Sequence, residues 1–323
     1  MILFALNSSR DFGEPVALEL DMSLGEHEEV EFEDGENKCR PLENVRGRNV
    51  FVIQSLYSDK NKSVNDKLCR LLFFISALKD ASAKHVTAIV PYLCYARKDR
   101  KTKSRDPITT RYVAQLFEAA GTDHIVTVDV HNIQAFQNAF RIPSEHLEAK
   151  KVFADFLIPQ IENDETIIMS PDIGGIKRAE QFQRLVSKRL HKDLQVAFME
   201  KYRSSGEVWG ETVVGDVKGK TVVIIDDLVS TGGTLARSAA ACKRQGAKKV
   251  IAVATHGIFT GQPDKTLGAE GLDQIVITNT IPPFRLENTQ VKEKVKILSV
   301  APLFAEAIRR LDEGGSITGL LED

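Results

Sequence analysis

Apolar runs recur along the chain, separated by stretches whose apolar residues fall three and four apart. The runs predict strands at 3–6, 50–54, 86–91, 125–130, 166–170, 196–199, 221–226, 250–255, 275–278 and 296–300. The periodic stretches predict helices at 64–83, 107–120, 149–161, 176–191, 234–245 and 302–311. Pro107 and Pro302 suit first helical turns, where a missing N–H costs nothing. Gly121 and Gly246 suit C-terminal caps. Strand–helix alternation of this kind predicts an α/β protein with mainly parallel sheets flanked by helices. The alternation runs through twice: 86–90 leads into a polar loop and a helix, as 222–227 does later. Two similar domains are therefore expected, dividing near 142–144.

One run ends in chemistry. The β-branched residues 222–225 lead into Asp226 and Asp227, then into Ser230, Thr231, Gly232, Gly233 and Thr234. In a parallel sheet such a loop lies at the strand's carboxyl end, where ligands bind. Gly232 and Gly233 let backbone N–H groups approach an anion, and the following helix adds partial positive charge. Ser230, Thr231 and Thr234 add hydroxyl donors. Asp226 and Asp227 would repel a phosphate but suit ribose hydroxyls or magnesium. The combination predicts a sugar phosphate with a metal. The competing reading is a plain capped turn; two acids and five small or hydroxyl residues in this order weigh against it.

Other strand ends carry weaker signals. Residues 95–105 pack six cations around Asp99, which suits polyphosphate but equally a solvated basic loop. Asp129 and His131 close the next strand, where a histidine would meet metal or phosphate, or serve the structure alone. Asp172, Gly174 and Gly175 close another, ahead of Lys177 and Arg178. Taken together, these ends suggest a magnesium–phosphate site. Residues 200–206 read as a loop, with Lys201 and Arg203 two positions apart. Such cations match the charge on a transferring phosphoryl group, although an ordinary solvated loop explains them too. Residues 215–221 imitate a phosphate loop but lack its glycine spacing and precede their strand, so they read as a turn.

Composition narrows the class. The chain has 323 residues, 42% hydrophobic and 27% charged, enough for one large or two medium soluble domains. A net charge of −2 offers no global pull toward nucleic acid or membrane, so neither is expected as a partner. The cysteines Cys39, Cys69, Cys94 and Cys242 form no CxxC pair, which argues against a disulfide framework or zinc and fits the cytoplasm. No basic leader and no apolar run of membrane length is evident.

In their order along the chain these segments resemble the ribose-phosphate diphosphokinase (phosphoribosyl diphosphate, PRPP, synthase) family. The loop at 226–234 is shared with phosphoribosyltransferases, whereas 32–36, 43–47, 52–55, 95–97, 103–105, 107–108, 129–131, 170–172, 255–256, 305–310 and 316–317 follow the family in sequence. The resemblance implies two phosphoribosyltransferase-like domains, 1–145 and 146–302, with the tail 303–323 returning to the first. It implies ATP on Asp34, Gly35, Glu36, Arg97 and Lys98, with the Phe32 ring near the adenine. It implies magnesium on His131 and Asp172. Ribose 5-phosphate would lie on Arg203, Asp226, Asp227, Ser230, Thr231, Gly232, Gly233 and Thr234, and Lys201 with Arg203 would stabilise the transferring group. A homo-oligomer, a dimer or a dimer-based hexamer, is implied because the 32–36 loop serves a neighbouring subunit in the family. The sequence departs from common members at Ser230, often Asp, at Lys98, usually Gln, at Tyr202 within a basic run, and in a longer 59–64 segment. Two alternatives stand beside this reading: a phosphoribosyltransferase that consumes PRPP, and a non-catalytic regulatory relative.

Overall fold

The computed structural model describes residues 1–204, 207–268 and 271–321, with the side chains of 201–211 outside the description. The chain forms two compact units, Met1–Glu148 with Val300–Asp323, and Ala149–Ser299.

The first unit contains β1 (Ile2–Ala5), β2 (His27–Glu31), β3 (Asn37–Pro41), β4 (Asn49–Ile53), β5 (His85–Ile89), β6 (His124–Val128) and β7 (Ser144–Leu147). Its helices are α1 (Arg10–Glu19), α2 (Val64–Asp80), α3 (Thr109–Ala119) and α4 (Ile133–Ala139). Five strands form one sheet in the order β1-β4-β5-β6-β7, parallel at every pairing. Their apolar runs are buried on both faces, around Phe4, Val52, Phe74, Ile75 and Phe117. A capping box starts α2: Ser63 N–H donates to Asp66 Oδ2 at 2.7 Å, and Asp66 N–H to Ser63 Oγ at 3.2 Å. Pro107 stands ahead of α3 rather than in its first turn. The strand β7 falls across the expected 145/146 division, and the unit runs on to Glu148.

The second unit contains β8 (Thr166–Ser170), β9 (Gln195–Ser204), β10 (Glu207–Val214), β11 (Thr221–Val229), β12 (Lys249–Gly257), β13 (Gln274–Thr278) and β14 (Val295–Leu298). They form one sheet, β10-β9-β8-β11-β12-β13-β14, parallel except where β10 meets β9. The helices are α5 (Lys150–Ile161), α6 (Ile176–Leu190), α7 (Gly233–Arg244) and α8 (Pro263–Leu267). The loop expected at 200–206 is corrected over its described part: β9 continues to Ser204 and β10 starts at Glu207, while residues 205–206 lie outside the description. A two-stranded ladder satisfies its own backbone, so it needs no apolar run to announce it.

After Ser299 the chain rejoins the first unit as α9 (Ala301–Glu313), with Pro302 in its first turn. Phe304 is fully buried and meets Phe12 of α1 edge to face, centroids 5.4 Å apart. Asn49 Nδ2 donates to Asp312 Oδ1 at 2.8 Å, which ties the helix to β4. Among the described residues no helix is long and apolar enough to cross a membrane. Phe304→Ala is expected to cost about 3–5 kcal/mol of unfolding free energy. Urea denaturation checks this; a loss below about 1 kcal/mol would mean that α9 adds little to the first unit's core.

Candidate active site

In the second sheet β8 and β11 are neighbours, but the chain leaves β8 toward β9 on one side and β11 toward β12 on the other. Their pairing stops at Ile224↔Met169, whereas β11 stays paired with β12 as far as Val229↔Gly257. The carboxyl ends therefore part, and this switch point is where an open α/β sheet binds its ligands. Asp226 and Asp227 sit on β11 just past the parting, the first half-buried and the second buried. The strand carrying them ends at Val229 rather than at the expected 226.

Arg178, on the first turn of α6, places Nη1 3.3 Å from Oδ1 of Asp226 and 3.3 Å from Oδ1 of Asp227. The Asp227 N–H also donates to Asp226 Oδ1 at 2.9 Å. Burial pushes the Asp226 carboxyl well above the usual carboxylate range, the Asp227 charge adds to this, and Arg178 opposes both. From the end of β8, Asp172 Oδ1 accepts the Gly175 N–H at 3.0 Å and so caps the short 3-10 turn Ile173–Gly175. A Cβ on Gly175 would lie 2.7 Å from Ser170 Oγ and 3.7 Å from both Asp172 Oδ1 and Arg178 Nη1. Asp172, Arg178, Asp226 and Asp227 thus share one corner, with no room for a larger residue at 175.

Beyond the acids, Gly232 adopts φ +79°, and a Cβ there would lie 2.5 Å from Leu267 Cδ2. Gly233 and Thr234 open α7. Thr260 N–H donates to the Ser230 carbonyl at 2.9 Å, and the two hydroxyls lie 3.4 Å apart. Beside the loop is a cavity of about 530 Å³ whose wall includes Thr231, Gly233, Arg237, Thr260, Lys265 and Thr266. A Cβ on Gly233 would lie 3.2 Å from Arg237 Nη1, so that guanidinium curls back to the helix start. Sequence reasoning named neither Arg237 nor Lys265. The available signal was the spacing, since Arg237 stands four residues beyond Gly233 and so one turn above it.

The first unit holds the remaining candidates. Residues 32–36 form the tip of the β2–β3 hairpin, where the Gly35 N–H donates to Phe32 O at 3.0 Å and the Glu36 N–H to Asp34 Oδ1 at 3.0 Å. Gly35 has φ +91°, the conformation that favours glycine. The Phe32 ring stays 49% exposed. The hairpin's base is fixed by Glu29, which is buried and meets His27 Nε2 at 3.0 Å, Arg70 Nη1 at 2.6 Å and the Asn7 N–H at 2.6 Å. Burial would raise the Glu29 carboxyl, but these donors outweigh it and hold it at about 2. Arg97 is exposed after β5, and Lys98 lies 2.6 Å from Asp106 Oδ2. His131 is exposed after β6, beside Asp129 at φ +41°. Asn132 Nδ2 donates to Asp99 Oδ2 at 2.6 Å and joins the loops that follow β5 and β6. Lys201 and Arg203 are carried by β9, and their side chains lie outside the described residues.

Among the described residues no three His, Cys, Asp or Glu side chains form a metal cluster. His131 belongs to the first unit and Asp172 to the second. Magnesium does not need a protein cage: it takes one or two carboxylates, several waters and a substrate's phosphates. The donors at the corner, Asp172, Asp226 and Asp227, are oxygen ligands of that kind, so the residues fit the ion.

Residues 1–121 match the N-terminal domain of ribose phosphate pyrophosphokinase, and 166–322 match the phosphoribosyl synthetase-associated domain. A ribose-phosphate pyrophosphokinase of Clostridium acetobutylicum is 38% identical over 99% of this chain and 97% of its own. One from Caldanaerobacter subterraneus subsp. tengcongensis is 40% identical over 98% and 96%. The chain belongs to the ribose-phosphate pyrophosphokinase family. The crystal structure of phosphoribosylpyrophosphate synthetase from Mycobacterium smegmatis matches it with a TM-score of 0.87 and 36% identity, over 97% of this chain and 99% of that one. The two-unit α/β architecture with parallel sheets is thus that of an enzyme family of PRPP synthetases.

Two outcomes follow from the geometry. Gly232→Ala combines left-handed backbone with a clash against Leu267, and is expected to cost about 1–3 kcal/mol of unfolding free energy, read by urea denaturation. Unchanged stability would show that the loop tolerates another shape. Glu29 has a depressed pKa, so its stabilisation is complete above its ordinary 4.5 and is lost as pH falls toward about 2. The unfolding free-energy gap between wild type and Glu29→Gln should therefore be largest at neutral pH, about 3 kcal/mol, and shrink on acidification. A gap independent of pH would sink that reading of Glu29.

Proposed function

We propose that the chain transfers the β,γ-diphosphoryl group of ATP to the C1 hydroxyl of ribose 5-phosphate, giving PRPP and AMP. One observation carries the reading. Two carboxylates at the switch point lead into a glycine loop that opens a helix, and a cavity with cationic walls lies beside that loop. A sugar phosphate matches this order of charges. Its hydroxyls go to Asp226 and Asp227, and its phosphate to Ser230, Thr231, Gly232, Gly233 and Thr234, away from the carboxylates. Arg237 and Lys265 add positive potential on the phosphate side.

ATP is assigned to the first unit, with the adenine near Phe32, the hairpin tip Asp34, Gly35 and Glu36 around it, and Arg97 on the phosphates. The exposed ring of Phe32 suits a site shared with a second copy, so the working enzyme in this reading is a dimer or a dimer-based hexamer in the cytoplasm. The C1 hydroxyl oxygen attacks the β-phosphorus. A bond forms between them, the bond from that phosphorus to the oxygen bridging the α- and β-phosphates breaks, and AMP departs with the bridging oxygen. The hydroxyl proton passes to solvent water as the new bond forms. Lys201 and Arg203 donate to the equatorial oxygens, where charge spreads in the transition state. His131 and Asp172 are the residues assigned to Mg²⁺, and the ion would supply neutralising charge to the polyphosphate. Arg178 keeps Asp226 and Asp227 in place and limits their mutual repulsion.

The assay is AMP release from ATP by the purified protein with Mg²⁺ and ribose 5-phosphate; no AMP would overturn the reading. Asp226→Ala should raise KM for ribose 5-phosphate well above any change for ATP, and Ser230→Asp should follow the same bias. The opposite bias would mean that the two substrates are in the wrong loops. Lys201→Ala should lower kcat on the order of 10³-fold with nucleotide binding nearly intact. A kcat within tenfold of wild type would remove Lys201 from the chemistry.

A further inference from the structure

The basic loop after β5 is organised by one carboxylate. Asp106 Oδ2 accepts Lys98 Nζ at 2.6 Å, Thr102 Oγ1 at 2.7 Å, the Lys103 N–H at 2.9 Å and the Thr102 N–H at 3.0 Å. Lys98 Nζ also donates to Thr102 Oγ1 at 3.1 Å. The loop is pinned elsewhere by Thr110 Oγ1, which donates to the carbonyls of Tyr95 at 2.9 Å and Lys98 at 3.2 Å. Tyr95 at φ +58° and Arg105 at φ +66° hold left-handed backbone near its two ends. Non-glycine residues keep such a conformation only where the surroundings impose it.

The remaining cations of the loop, Arg97, Arg100, Lys101, Lys103 and Arg105, are all exposed. Like charges at this density repel one another and spread a chain that nothing gathers. Asp106 gathers it, and the cation it takes for the purpose is Lys98. That side chain is spent on a contact within the loop.

We propose that Asp106 is a positioning residue for nucleotide binding: with Lys98 and Thr102 it holds the basic loop, before ATP arrives, in the shape in which Arg97 and the outer cations meet the polyphosphate. Lys98 is then a strut rather than a nucleotide ligand. The proposal rests on the assignment of ATP to the first unit. Its consequence falls on affinity, since the ordering of the loop is completed on folding and is not charged against binding. The hydrogen bonds from Lys98 and Thr102 hold the Asp106 carboxyl well below the usual carboxylate range, so the strut stays intact across neutral pH.

A double-mutant cycle tests this on the full-length protein. Asp106→Ala, Lys98→Ala and the pair are compared by calorimetric titration with Mg–ATP and by steady-state kinetics, with melting temperatures checking that each variant folds. Each single change is expected to weaken ATP binding about tenfold and raise KM for ATP in step, and the double change to cost no more than either. The kcat at saturating ATP and KM for ribose 5-phosphate should stay within about threefold of wild type. Lys98→Arg, which keeps a cation for Asp106, should restore most of the affinity. Thr102→Val, which removes the bridging hydroxyl without changing charge, should weaken ATP about threefold and serves if either alanine variant is unfolded. Independent, multiplying effects would make Lys98 a direct ligand and overturn the strut. A fall in kcat with KM for ATP unchanged would overturn it as well. If wild type binds ATP and no variant changes that affinity, the strut fails alone; if wild type binds no ATP, the nucleotide assignment fails and takes the strut with it.

Discussion

Where β8 and β11 part, the second sheet leaves two strand ends without a common neighbour. Past that point the facing edges of β8 and β11 no longer share a ladder, although β11 stays paired with β12. Asp226 and Asp227 occupy that opening, and neither would be tolerated a few residues earlier, where β11 is buried from Thr221 to Ile225. Two adjacent carboxylates out of bulk water are costly unless something offsets their charge. Arg178 does so from α6, the helix that follows the short turn capped by Asp172. The capping acid, the arginine and the acid pair therefore gather at the one point where the strand order of this parallel sheet reverses.

Arg178 lies against both carboxylates, and burial with the neighbouring Asp227 charge still raises Asp226. A cation or a set of hydroxyl donors would relieve the repulsion; a phosphate would not. The phosphate-compatible groups lie further along the loop, past Gly232, whose backbone turns left-handed against Leu267. Polarity thus reverses along nine residues of chain, from Asp226 to Thr234, and a ligand with hydroxyls at one end and a phosphate at the other would be oriented by that reversal alone.

What the sequence made legible was set by hydrophobic contrast. The runs of β1, β4, β5, β6, β8, β11, β12 and β13 are buried on both faces, so each stands out from its polar flanks, and the acids ending β11 are conspicuous against them. The β2–β3 hairpin gave no such contrast. Its residues are joined by charge, Glu28 with Lys38 and Arg40, and Glu29 with Arg70, and apolar periodicity does not register ion pairs. The short edge strand β7, the helix α1 with its internal Pro15 and the ladder of β9 with β10 were missed for related reasons. The partners of the site were hidden by distance along the chain. Arg178 and Asp226 are 48 positions apart, and only the fold shows that one arginine faces two acids. Lys98 and Asp106 are close in sequence, yet the pair was equally hidden, because a loop gives no periodicity from which to infer what faces what.

The net charge of −2 now reads differently. Near-neutrality comes from 43 basic and 45 acidic residues over the whole chain, among them exposed cations on the loop after β5 and acids at the switch point of the second sheet. Averaged over the surface they cancel, and the chain has no long-range preference for polyanions. At the distance of a contact they do not cancel, since screening in physiological salt removes the influence of charges beyond about 8 Å. Each cluster then acts only on what is brought against it. A cationic cluster of this kind works best when it is already gathered, because every like charge added to a loose loop raises the cost of collecting the rest. In the loop after β5, one acid and the lysine beside it meet that cost within the fold itself.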